Sequence, residues 1–296
     1  MMRKAIILTT AITAAIFVSC EDNLNNDNAM LTEQEEAIIK DDAASDDVVE
    51  ATDYEVDFYS SSQETIDEIN EGKKSTSWRR ERYVDGEGPA VTVDPTGSAY
   101  PKTITIDYDD GIELLNGRVI RGQIIIEVSE PPLTDGATRE ITYQDFYVDS
   151  VYIEGGATLT FTGADSTERI FSNESNLTLT FSDSTVLTRT ANRTRTLADG
   201  FETLFYHSDD LILIEGEVNY ETSNGTTFSK NITNPLTKTG ACRFVTEGTV
   251  SFTLNGENFA ELDYGDGTCD DLATITKDGE TRQISIGRRF RRFWFR

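Results

Sequence analysis

From about Val91 onward, apolar and polar residues alternate one by one. Thr103-Ile104-Thr105-Ile106-Asp107-Tyr108, Asn176-Leu177-Thr178-Leu179-Thr180-Phe181 and Ser251-Phe252-Thr253-Leu254 all follow this period of two. Successive side chains of a strand point to opposite faces, so the pattern predicts strands with one apolar face and one face of Thr, Ser and acid. Asn116-Gly117, Gly155-Gly156, Asn224-Gly225, Asn255-Gly256 and Asp278-Gly279 punctuate the runs as turn pairs. The expectation is an all-β body over 91–296: an antiparallel β-sandwich of about a dozen strands with solvated outer faces. Short runs, and turns not sorted into long and short ends, argue against a membrane barrel.

Before Val91 the pattern differs. Ser45 offers an N-cap, with Val48, Val49, Val56 and Tyr59 on one helical face. Ser61 and Glu64 have capping-box spacing for a second short helix, with Ile66 and Ile69 inward and Gly72 as a stop. Region 45–90 is therefore read as helical or linker. Residues 20–44, rich in Asn and acid, read as a flexible tether of roughly 25 to 30 Å.

The first residues carry an address. Met1-Met2-Arg3-Lys4 is a positive start, Ala5 to Val18 a small and apolar run, and Cys20 follows Ser19. That order predicts a lipoprotein signal peptide over 1–19, with lipid on the Cys20 thiol and cleavage before it. The apolar run is shorter than the roughly 20 residues of a membrane span. Phe17 departs from the Leu usual at that place in a lipoprotein box. Glu21-Asp22 after the cysteine resembles the acidic export signal of Bacteroidota lipoproteins, which implies the outer membrane, lipid-anchored and surface-exposed. The alternative is a periplasm-facing anchor.

The formal charge of −27 becomes −29 once Arg3 and Lys4 leave with the leader. Such a surface repels phosphate backbones, so nucleic acid is not expected as a partner, and acidity is read as a source of solubility and cation attraction. Arg288, Arg289, Arg291, Arg292 and Arg296, with Trp294 among them, form the one basic aromatic patch. It is a candidate surface for phosphate-bearing lipid or an acidic partner, or else a last strand against the acidic body. With Cys20 assigned to lipid, Cys242 and Cys269 remain as a disulfide pair. Closing that loop contributes at most about 3.6 kcal/mol by chain entropy.

Ile106-Asp107-Tyr108-Asp109-Asp110-Gly111 is echoed by Leu262-Asp263-Tyr264-Gly265-Asp266-Gly267, which suggests two related β units, about 91–200 and 201–296. Tyr100 to Tyr108, Asn116-Gly117-Arg118, Arg121-Gly122-Gln123-Ile124 and Asp263 to Asp270 together resemble a group of Bacteroidota outer-membrane lipoproteins of unestablished function, over roughly Tyr100 to Ile286. The resemblance implies the anchor and the all-β body, and no catalytic residues.

Asp107, Asp109 and Asp110, with Asp263, Asp266, Asp270 and Asp271, gather hard oxygen ligands beside glycines and are candidate Ca²⁺ ligands, although an EF-hand's distal Glu is missing. Otherwise no cofactor is expected. His207, the only histidine, could be steered by Asp209 or Asp210 as a base, but no nucleophile motif accompanies it, and a polar strand end is the simpler reading. Tyr143, Phe146, Tyr147 and Tyr152 could stack on sugar rings or pair across strands. Asp149-Ser150-Val151, Asp165-Ser166-Thr167 and Asp183-Ser184-Thr185 match a short O-glycosylation pattern. These features together predict a non-catalytic, lipid-anchored envelope protein that binds or scaffolds at the outer surface, with a glycan or envelope protein as partner. The alternative is a carbohydrate-binding or two-carboxylate hydrolytic lipoprotein.

Overall fold

The computed structural model describes residues 30–72, 82–84, 86, 88–164, 168–200, 202–203 and 207–286. The expected all-β, antiparallel, sandwich-like class is what the chain adopts, with two helices ahead of the strands. Helices α1 (Glu33–Ser60) and α2 (Gln63–Asn70) are followed by β1 (Ala90–Asp94), β2 (Lys102–Asp107), β3 (Ile112–Glu113), β4 (Val119–Val128), β5 (Thr138–Val148), β6 (Val151–Ala164) and β7 (Arg169–Thr180). Then come β8 (Val186–Asp199), β9 (Leu211–Thr222), β10 (Thr227–Thr239), β11 (Glu247–Leu254), β12 (Glu257–Asp266), β13 (Leu272–Lys277) and β14 (Glu280–Ser285). Their order in space is their order in sequence: one hydrogen-bonded meander from β1 to β14, with β3 pairing β4 at its side. No break falls near residue 200, since β8 pairs β9 from Leu187↔Thr222 to Asp199↔Leu211, so the two supposed β units are one sheet.

Tight turns make the meander. Asn255-Gly256 and Asp278-Gly279 have positive φ at both residues, the hairpin geometry that lets right-twisted strands pair directly. Gly155-Gly156 departs from expectation, lying inside β6 rather than in a turn. The pair serves close strand approach: a Cβ on Gly155 would sit 2.2 Å from the Asn176 carbonyl oxygen, and one on Gly156 2.7 Å from that of Ile141.

The inner side of the sheet supplies the core. Ile104, Ile106, Ile120, Ile124, Ile126, Leu179, Leu187, Val218, Val250, Phe252 and Ile275 are all buried. Against them lies α1, which begins earlier than expected. Thr32, not Ser45, is its N-cap, in a reciprocal box with Glu35, and Ser45 is buried in mid-helix. Residues 33–44 thus belong to the folded body, which shortens the expected tether. Val48, Val49, Val56 and Tyr59 are buried. In α2 the N-cap is Ser62, Ile66 is buried, and the Gly72 amide closes the end on Ile69.

The block that carries the resemblance has a physical role at each inward position. Tyr100 donates its hydroxyl to Gln63 of α2 at 2.5 Å, and the buried Lys102 ammonium donates to the carbonyls of Pro95 and Gly97. Ile104 and Ile106 enter the core, and Tyr108 donates to Glu55 of α1. Cys242 and Cys269 are disulfide-bonded, joining the segment after β10 to the one before β13.

Candidate functional site

A 28-residue helix is about 42 Å long. α1 carries acids on every side, and Asp42, Asp46, Asp53 and Glu55 are buried. A buried carboxylate survives only beside a cation or several donors. The sheet supplies these from many strands. At the N-terminal end, Lys277 (β13) holds Glu35 at 2.7 Å and Arg282 (β14) holds Glu36 at 2.7 Å. In the middle, Lys230 (β10) bridges Asp42 and Asp46, Arg189 (β8) reaches Asp46 at 3.1 Å, and Tyr220 (β9) donates to Asp42. Further along, Arg193 and Arg195 (β8) face Asp53, and Arg139 (β5) and Arg195 hold Asp57 at 2.8 and 3.1 Å. Strands from β5 to β14 therefore meet one helix, which requires the sheet to curl around it.

Period two explains the sheet's contribution. Along β8, Leu187, Arg189, Ala191, Arg193 and Arg195 share the inward face, so the strand sends three guanidinium groups at α1. Burial pushes the Asp46 carboxyl up, but Lys230, Arg189 and Arg193 more than reverse this and hold it well below the ordinary carboxylate range. Burial alone would lower the Lys230 ammonium, yet Asp42 and Asp46 beside it raise it. Burial, then Glu55, raises Tyr108 far above its usual value, so it stays a donor.

Among the described residues, one side of α1 borders a cavity. Asp47, Glu50, Ala51, Tyr54 and Asp57 line a cleft of about 450 Å³ between the Leu114–Arg118 segment and the ends of β9 and β10. Charges pair off along its walls. Asp47 takes Arg118 at 2.5 Å and Arg243 at 3.1 Å, Glu50 takes Lys238, and the fully buried Glu55 takes Arg82. The Arg82 guanidinium is stacked on Tyr54 and Phe58, 4.4 and 4.2 Å from their ring centroids.

The exposed large apolar side chains among the described residues concentrate here. Tyr54 and Leu115, 37% and 57% exposed, line the cleft. Leu133 lines a small adjoining cavity that shares Asp57, Arg195, Asp210 and Ile212 with it. Val84 is on the segment whose Arg82 carbonyl accepts from the Leu115 amide. A second small cavity, lined by Phe244, Tyr264 and Ile286, shares Asp47, Glu50 and Arg243 with the cleft. The arrangement suits a ligand with an apolar body and polar groups.

No protein-family model matches the chain, and no curated protein or solved structure does either.

The acidic turns read as calcium ligands serve as turn chemistry. Asp107, Asp263 and Asp270 each accept the amide of the residue two positions on, at 2.9 Å. Asp107 also accepts from Gln123, Asp266 from Thr268 and Asp271 from Ser285, while Asp109 and Asp110 are exposed. Among the described residues no group of three or more His, Cys, Asp or Glu is placed to hold a metal ion. The repeated block has one physical meaning in both copies: an Asp turn beside a tyrosine buried toward α1, Tyr108 and Tyr264.

His207 opens a short 3-10 turn whose Asp209 accepts from Thr203, and Asp210 lines the cleft. Phe146 is fully buried and stacks with Tyr143, a core contact rather than a sugar platform. Tyr147 and Tyr152 pair across β5 and β6 on the outer face with Arg121 3.8 Å over the Tyr147 ring. Ser150 and Ser184 lie at exposed turns. Cys20, Asp165-Ser166-Thr167 and the Arg288–Arg296 tail lie outside the described residues.

The cleft itself was missed by sequence reasoning, and so was the buried charge ladder. The signal for the ladder was present as arginines in register with apolar positions on β8.

Proposed function

We propose that this protein is a non-catalytic, lipid-anchored cell-envelope protein, displayed on the outer membrane, that binds an amphipathic ligand in the α1 cleft. The observation that carries the binding role is the cleft itself: exposed Tyr54 and Leu115 over a floor of paired charges. Clustered exposed apolar surface beside convergent polar groups is the usual mark of a recognition site. The anchor rests on Cys20 behind its apolar leader, and the envelope address on Glu21-Asp22 and on the likeness of the Tyr100–Tyr108 block to Bacteroidota lipoproteins.

Labelling cells with a palmitate analogue tests the anchor, since Cys20→Ala should lose both label and membrane association. Binding is tested by screening lipids, peptides and glycans on the anchored protein and on Leu115→Lys. A ligand lost in the variant supports the cleft; ligands bound equally by both proteins refute it.

A second reading is glycan binding on the outer face, favoured by the Arg121, Tyr147 and Tyr152 stack. It predicts that Tyr147→Ala, and not Leu115→Lys, removes glycan retention.

A further inference from the structure

Chain direction, charge and apolar content bring the C-terminal tail to the α1 cleft. The last described residue, Ile286, is tied by its amide to the Asp271 carbonyl and lines the small cavity that shares Asp47, Glu50 and Arg243 with the cleft. The chain therefore leaves the sheet at one end of the groove. Ten residues follow, enough to span about 33 Å when extended. Along α1, Asp47 to Phe58 covers only about 16 Å at helical rise, so the tail can reach the far end of the groove.

Its charge suits the acidic body as a whole, and its aromatic residues suit the apolar lining of the cleft, whose own acids are already paired. The tail holds Arg288, Arg289, Arg291, Arg292 and Arg296 with no acid, on a chain of net charge −27, so the body attracts it from a distance. Phe290, Phe293, Trp294 and Phe295 supply apolar area for Tyr54, Leu115 and Ile212. The site already uses the combination that the tail would bring, a guanidinium stacked on aromatic rings, in Arg82 over Tyr54 and Phe58. We propose that residues 287–296 dock into the α1 cleft of their own chain, an intramolecular occupant that an outside ligand must displace. This uses the cleft of the proposed function but needs neither the lipid nor any external ligand.

The test places a photo-crosslinking benzoylphenylalanine at Trp294 in the full-length protein. Illumination is followed by peptide mapping, using mixed heavy and light isotope-labelled copies. Expected are crosslinks within one chain to Asp47–Phe58 of α1 or to Leu114–Arg118. Leu115→Lys, at a side chain more than half exposed, removes apolar contact and adds like charge, and should reduce yield about tenfold while the urea midpoint holds. Crosslinks only between heavy and light copies, only to other parts of the body, or none at all overturn the proposal, as does a yield unchanged by Leu115→Lys. Because no ligand is present, the result does not depend on whether the ligand screen succeeds.

Discussion

Lys230 is the residue on which the charge ladder can be tested most sharply. Its ammonium is buried, 2.9 Å from Asp42 and also bonded to Asp46. At 2.9 Å the Lys230–Asp42 pair is worth about 6 kcal/mol at an effective dielectric of roughly 20, against a desolvation cost of several kcal/mol per ion. The net value of the intact cluster is thus small, and the cost of breaking it is large. Lys230→Met keeps the unbranched stem and removes the charge, leaving Asp42, among the described residues, with the Tyr220 hydroxyl at 2.8 Å, while Asp46 keeps Arg189. The expected loss is about 3 to 5 kcal/mol, the range for an orphaned buried charge. Adding Asp42→Asn, which keeps an acceptor for Tyr220, should restore at least half of it. Urea unfolding of wild type, both singles and the double gives the coupling directly. Screening barely reaches buried pairs, so 1 M salt should leave the coupling nearly unchanged. A Lys230→Met cost under about 1 kcal/mol, or strictly additive singles, would refute the ladder as a stabilising cluster.

Acid should weaken the fold through the same helix. Burial alone raises Glu35, but Lys277 and the Thr32 cap more than reverse it, and Arg282 lowers Glu36; Asp46 also lies low. Folded values below the ordinary 4.5 and 3.8 mean the unfolded chain binds protons first, so their stabilisation is complete above about pH 4.5 and lost as pH falls through the folded values. Asp42, raised by burial, works the other way, so Asp42→Asn should steepen the acid loss seen in urea midpoints between pH 6 and 3. Gly122 has φ +81°, and a Cβ there would lie 2.1 Å from the Asp145 carbonyl oxygen. Gly122→Ala should cost at least about 2 kcal/mol, whereas Gly225→Ala, with a similar φ and open space around it, should cost about 1; equal thermal shifts would contradict the contact. Cys242→Ser with Cys269→Ser should lose roughly 2 to 4 kcal/mol in urea unfolding, and reductant should then have no further effect.

Some residues declared their place in advance. The alternation through Ile104-Thr105-Ile106 and Leu177-Thr178-Leu179 is local chemistry, and those side chains are inside. Asn255-Gly256 and Asp278-Gly279 turned where expected because only residues tolerant of positive φ close a two-residue hairpin. Gly155-Gly156 misled because the same tolerance also serves close strand approach, and composition does not separate the two uses. The start of α1 was misplaced since Glu35, Asp42 and Asp46 look like solvent-facing acids until Lys277, Lys230 and Arg189 stand opposite them.

What the sequence determined by itself was the period of two, hairpin turns such as Asn255-Gly256 and Asp278-Gly279, and the cysteine pair, all of which depend on near neighbours or on counting. Tertiary structure alone decided that a 14-stranded sheet curls around an acidic helix, that the helix's acids are neutralised from strands as distant in sequence as Lys277, and that among the described residues one helix face borders a cleft. The reason is physical. A carboxylate carries the same local signal in water or in a core, and only the cation that arrives from another strand determines which of the two it can occupy.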